Sequence, residues 1–281
     1  MKTIKWILAL ATLLTFAVAC APRKQAPKVL VLYYSQTGNT KAVAEEIATR
    51  LGADIEAMDA AVPYDGTYQE TIARCLQERE AGTLPECKPV AADIAAYDII
   101  FLGYPIWFGT FAPPVAAWLN GVDLKDKKIV PFCTFGSGGL DSSVKDLEAR
   151  QPEAVILPGY GVRAARLAAV PAEVDQFLKA GGFVEGEAVV LEEFPEQQPA
   201  TEKETAIFLE AVKDYPMMGG VQASTFASRT IPGGVEYLFT AVPQPREGQP
   251  APDAKMPPMR EMKVYVTVLE GEAPVFTQVV R

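Results

Sequence analysis

The sequence contains no histidine in its 281 residues. That absence excludes a Ser-His-Asp triad, a Cys-His pair and any histidine-ligated metal. Chemistry in this chain must run on carboxylates, hydroxyls, thiols, backbone dipoles or a bound cofactor. Cysteine is scarce as well, with only four, and basic residues are in deficit at 26 against 35 acidic, a net charge of −9. A surface that acidic repels phosphate backbones, so nucleic acid is excluded as a partner and a basic protein is favoured. Disorder is also excluded, because 49% of the residues are hydrophobic and 22% charged. Gly 21 and Pro 23 are too many for one long helical bundle and suit a loop-rich α/β or α+β chain of about two domains.

Residues 1–19 read as an export signal. Lys2 and Lys5 make a basic start, and Trp6 to Val18 is an apolar run of 13 residues, short of the ~20 a spanning helix needs. The run ends Phe16-Ala17-Val18-Ala19-Cys20, which resembles a bacterial lipobox. That resemblance implies cleavage before Cys20, acylation there, and a chain anchored in the cell envelope facing the periplasm or exterior. Residues 20–27 are then a polar, basic tether. Three further cysteines remain. Cys133 falls in an apolar run and reads as a small buried thiol. Cys75 and Cys87 flank a loop-like stretch, and two readings stand: a disulfide, or two unrelated thiols. None of the spacings is a metal signature.

Lys28 to Tyr34, Asp98 to Tyr104 and Lys128 to Thr134 are nearly continuous apolar runs, the mark of strands buried on both faces. Asp54 to Met58 and Ala154 to Leu157 add two shorter strands. Helical spacing covers Asn39 to Leu51, Gln69 to Gln77, Val90 to Ala96, Pro113 to Leu119, Asp141 to Ala149 and Pro171 to Ala180. Five strands alternating with helices predict a doubly wound parallel sheet over residues 28–182. Residues 183–199 are Glu- and Pro-rich and read as a linker. Residues 200–281 predict one helix, Thr201 to Tyr215, then strands at 221–230, 235–242, 262–269 and 275–280, with a Pro-rich loop over 246–258. This small α+β domain resembles a cystatin-type module in shape, and no function is carried over.

Directly after the first strand comes Ser35-Gln36-Thr37-Gly38-Asn39-Thr40. Three hydroxyls, a glycine and the free N–H groups of a helix start form an anion cradle. It holds no Gly-Lys-Ser/Thr ending and so is not a P-loop; a phosphate would be held there, not transferred. The third strand runs into Pro105-Ile106-Trp107-Phe108-Gly109, and the fourth into Thr134-Phe135-Gly136-Ser137-Gly138-Gly139. Aromatics on the first can stack on a planar ring or belong to the core; the glycines of the second let backbone approach a ring edge.

Together the three loops resemble the flavodoxin family over residues 28–180. The resemblance implies noncovalent FMN, its phosphate on Ser35, Gln36, Thr37, Gly38, Asn39 and Thr40. The ring would lie between the 105–109 and 134–139 loops, with Trp107 as the stacking aromatic. It further implies a one-electron shuttle between redox partner proteins, with no catalytic residue of its own. The alternatives are an NAD(P)H:quinone-type reductase and a non-catalytic binding protein on a flavodoxin scaffold.

Overall fold

The computed structural model describes residues 26–136, 138–215, 218–243 and 261–280. The export signal, Cys20, most of the tether, Ser137 and the Pro-rich loop lie outside the described residues. The first half runs β1 (Val29–Tyr33), α1 (Asn39–Leu51), β2 (Asp54–Ala57), α2 (Tyr68–Ala81), β3 (Ile99–Trp107), β4 (Thr110–Phe111), α3 (Pro113–Gly121), β5 (Lys128–Phe135), α4 (Leu140–Arg150), β6 (Val155–Ile156), β7 (Tyr160–Arg163) and α5 (Val170–Ala180). The parallel sheet is ordered β2-β1-β3-β5-β6, with β7 continuing beside β5 and the short β4 folded back on β3.

Period-two alternation sends neighbouring residues of each strand to opposite faces. Val31, Phe101, Val130 and Phe132 meet Val43 and Ile47 of α1 and Val174 and Leu178 of α5. Leu30, Leu32, Ile100, Leu102 and Ile129 meet Val115 and Leu119 of α3 and Leu147 of α4 on the other side. Both faces are covered, which is why the strands read as unbroken apolar runs. Gly103 sits at the tightest point: a Cβ there would lie 2.1 Å from Phe132 Cζ.

The fifth strand is interrupted. Ile129 faces Ile156 but Phe132 faces Tyr160, so residues 157–159 carry one residue more than the stretch of β5 opposite. Pro131, which has no N–H for a ladder, lies opposite this break, and Gly159 approaches so closely that a Cβ would stand 2.7 Å from the Pro131 carbonyl. β6 and β7 are thus the two halves of one bulged strand, and the sheet is the expected five-stranded, doubly wound one.

The long connection from β2 to β3 corrects one expectation. Residues 90–96 hold only a 3₁₀ turn, Ile94–Ala96, because the Ala91 and Ala92 N–H groups are taken by the Glu56 carboxylate at 2.5 and 2.8 Å. α2 is longer than its periodicity predicted. Thr67 and Glu70 form a full capping box at its start, and Gly82, at φ 64°, closes it.

After an irregular stretch come β8 (Gln198–Pro199), α6 (Glu202–Val212), β9 (Val221–Ile231), β10 (Gly234–Pro243), β11 (Met262–Leu269) and β12 (Val275–Val280). The second sheet is antiparallel, in the order β12-β11-β10-β9-β8. Phe208 and Val212 of α6 pack on Phe226, Phe239, Val264 and Phe276. The helix is shorter than predicted, and Thr201 donates to the Glu204 carboxylate without capping a main-chain N–H. The connecting stretch touches both sheets: Phe183 packs edge-on against Phe101 at 5.0 Å, and Phe194 against Tyr265 at 6.0 Å.

Candidate cofactor site

β1 pairs in parallel with both β2 and β3, so the strand order reverses there. Open α/β sheets bind ligands at the carboxyl ends of strands flanking such a point, a rule partly drawn from flavodoxins themselves. All three loops singled out in the sequence lie at that edge.

The first loop turns through Gly38, at φ 88°, into α1, and no side chain caps the helix. A left-handed residue is what the sharp turn requires, and glycine adopts it without strain. The Ser35 hydroxyl is buried and has no hydrogen-bond partner. Such a group costs about 1–3 kcal/mol unless something accepts from it or donates to it. Thr40 is buried too, its Oγ1 2.9 Å from Oγ1 of Thr134 at the third loop. Only one of two paired hydroxyls uses its hydrogen on the other, so the second remains a donor. Gln36 behaves differently: its amide donates to the Tyr64 carbonyl at 2.6 Å and the Thr71 hydroxyl at 3.0 Å. Gln36 braces the loop against the α2 region, while Ser35, Thr37, Gly38 and Asn39 remain at the helix start.

The second loop is a tight hairpin. Trp107 pairs with Thr110 and Ile106 with Phe111, leaving Phe108 and Gly109 at the tip with φ of 51° and 86°. Two positive φ values in succession are the type I′ signature. The Gly109 carbonyl accepts from Ser142 Oγ at 2.5 Å, so α4 holds the tip. Trp107 is half-buried and packs edge-on against Tyr34 (6.0 Å) and Tyr64 (5.4 Å). Phe108 is the ring the hairpin exposes, 49% accessible, with the Arg79 guanidinium 5.2 Å from its centroid. Pro105 lies beside Thr134 in the β3–β5 register.

Thr134 and Phe135 of the third loop are buried, and Gly138 and Gly139 follow with φ of 141° and 121°. A Cβ on Gly139 would stand 2.7 Å from Ile106 Cγ2, so glycine is what lets the second and third loops touch. The Gly136 carbonyl accepts from Arg163 Nε at 2.8 Å and from the Tyr215 hydroxyl. Arg163 ends β7 and Tyr215 follows α6, so the second sheet's unit reaches the third loop. Sequence reasoning passed over both residues. The one available signal was a lone arginine closing the Tyr160–Val162 strand.

Among the described residues Cys75, Cys87 and Cys133 are free thiols, the second of the two readings left open for Cys75 and Cys87. Cys75 is turned into the core under α2. Cys87 sits in a β-bridge opposite Ala60, its thiol directed to the Pro114 carbonyl at 3.5 Å. Burial pushes the Cys75, Cys87 and Cys133 thiols above their ordinary range, so none is primed as a nucleophile. Among the described residues no group of three or more Cys, Asp or Glu side chains could hold a metal ion.

A helix start with an orphaned hydroxyl, an aromatic hairpin and a glycine loop are gathered at the switch point of a doubly wound sheet. The chain belongs to the flavodoxin family: the family model for flavodoxin matches residues 28–170. It is 36% identical over 96 residues to an NAD(P)H dehydrogenase (quinone) of Cupriavidus metallidurans, covering 33% of this chain and 45% of that protein. A similar match, 36% over 98 residues, covers 44% of a Gluconacetobacter diazotrophicus protein of the same name. The chain thus spans less than half the length of these curated relatives. Among solved structures, a flavoprotein in complex with FMN from Lactobacillus acidophilus is 22% identical with a TM-score of 0.45, covering 55% of this chain and all of that one (100%).

Proposed function

We propose that this protein binds FMN noncovalently and passes electrons singly between partner proteins. The observation that carries the reading is the buried Ser35 hydroxyl without a partner, set beside the uncapped start of α1. An FMN phosphate would complete both, receiving the hydroxyl and the main-chain N–H groups of residues 37–40. The ring would lie between the Pro105–Gly109 hairpin and the 134–139 loop, with Trp107 and Phe108 as its aromatic neighbours. Bound FMN supplies one- and two-electron redox chemistry. The chain's part is to hold the ring, keep water from it through buried Thr134 and Phe135, and surround it with an acidic surface that makes adding negative charge harder. No catalytic base is needed, consistent with a chain lacking histidine.

The curated relatives' name favours a second reading, two-electron reduction of a quinone by a nicotinamide. A third, a binding protein on an inherited scaffold, predicts no flavin at all. The absorption spectrum of the purified chain, with identification of any released cofactor, separates the third from the others. Anaerobic titration with a slow reductant separates the first two: stepwise reduction through a one-electron form supports the shuttle, and direct conversion with rapid nicotinamide oxidation supports the reductase. The export reading is tested apart from these. An acylated Cys20 sends the mature protein into a detergent phase, and Cys20→Ala should release it or leave an uncleaved precursor; a mature parent chain wholly in the aqueous phase counts against lipidation.

A further inference from the structure

Arg163 is 5% exposed, yet no carboxylate among the described residues receives a hydrogen bond from it. Its Nε donates to the Gly136 carbonyl at 2.8 Å, and its Nη1 to the carbonyl of Phe276 on β12. The guanidinium lies against two rings of the second unit, 4.4 Å from the Tyr215 centroid and 4.2 Å from that of Phe276. Those rings pack on each other at 4.7 Å, and the Tyr215 hydroxyl returns to the same Gly136 carbonyl. The neighbouring cation, Arg166, is already paired with Glu173 at 2.5 Å. Next along the loop, a Cβ on Gly138 would meet the Val279 carbonyl of β12 at 3.3 Å.

We propose that the carboxyl-terminal unit is part of the flavin site, with Arg163 as a positioning residue that fixes the Gly136 peptide and keeps a positive charge behind the ring-facing loop. The proposal rests on the FMN reading above. A junction serving only to join two units would be met at lower desolvation cost by apolar side chains. Here a guanidinium is stripped of water and compensated by two carbonyl dipoles and two π faces, which hold the cation without cancelling its charge. Burial lowers the pKa of Arg163 from its ordinary value, but that value lies so far above neutrality that the group stays charged. One carbonyl receiving two donors from two directions cannot swing, so the Gly136 peptide is held in one orientation. The charge behind it favours the reduced, more negative flavin, opposing the acidic surface.

The test uses the full chain loaded with FMN or with riboflavin. Tyr215→Phe removes one donor to Gly136 and keeps both rings and the cation. It should weaken FMN and riboflavin alike by roughly three- to tenfold, as one lost hydrogen bond allows, with little change in reduction potential. Arg163→Met should weaken both flavins and also shift the potential to more negative values, while Arg163→Lys keeps the potential nearer the parent. Circular dichroism checks that each variant is folded, and Tyr215→Phe stands if Arg163→Met does not fold. Unchanged affinity and potential in folded variants make the junction structural only and overturn the proposal. If the parent chain binds neither flavin, the FMN reading fails first and this proposal falls with it.

Discussion

Ser35→Ala should act with opposite sign on the empty and the loaded protein. In the flavin-free chain the Ser35 hydroxyl is buried without a partner, a condition that costs about 1–3 kcal/mol. Alanine removes that cost and leaves a void the size of one oxygen, which returns part of the gain. The flavin-free variant should therefore be as stable as the parent, or more stable by about 1 kcal/mol. In the loaded protein the same hydroxyl donates to a phosphate oxygen, a charge-assisted bond worth about 1.5–3 kcal/mol. FMN affinity should then fall about 10- to 150-fold, while riboflavin, lacking the phosphate, should bind as before. Urea unfolding of the flavin-free protein reads the first effect, and quenching of flavin fluorescence reads the second. A variant destabilised by more than about 1 kcal/mol, with FMN and riboflavin equally affected, would refute the reasoning: Ser35 would be a fold residue and the phosphate would sit elsewhere.

Other outcomes follow from the packing and the charges. Gly103→Ala places a Cβ 2.1 Å from Phe132 Cζ and should destabilise the fold by about 1–3 kcal/mol or more in urea unfolding; a neutral result would mean that Phe132 has room to move. Thr67→Ala removes the cap of α2 and should cost about 0.5–2 kcal/mol, read by the same assay. The Glu70 carboxyl is held below its ordinary 4.5 by the Thr67 hydroxyl and N–H, and Asp54 below 3.8 by the Tyr97 hydroxyl. Both contributions are full above those ordinary values and are lost as pH falls through the lower folded ones, so stability should decline slightly there and Tyr97→Phe should reduce the Asp54 part of that slope. Finally, half-buried Cys87 should react with a thiol reagent before buried Cys75 and Cys133, and peptide mapping without reductant should find no Cys75–Cys87 bridge.

The sheet was legible in the sequence because burial on both faces demands it. Runs such as Val29–Tyr33 and Ile99–Leu102 are too short to be buried helices and fit strands covered on both faces, and the helical spacings between them fit a doubly wound arrangement. The turn from β1 through Gly38 into α1 was legible for the same kind of reason, since hydroxyls and a glycine between strand and helix are a local pattern. What depended on partners distant in the chain was not legible. The turn of Gln36 toward Tyr64 and Thr71, the loss of helix over residues 90–96 to the Glu56 carboxylate, and the separation of Cys75 from Cys87 are each decided by a residue brought in through space. Arg163 is the clearest case. In sequence it is one arginine at the end of a strand, and only the docking of Tyr215 and Phe276, 52 and 113 positions further on, makes it a buried cation on the third loop. Local pattern sets what a segment can become. Which side chains are desolvated together is a property of the closed fold, because burial is shared between segments that the sequence keeps apart.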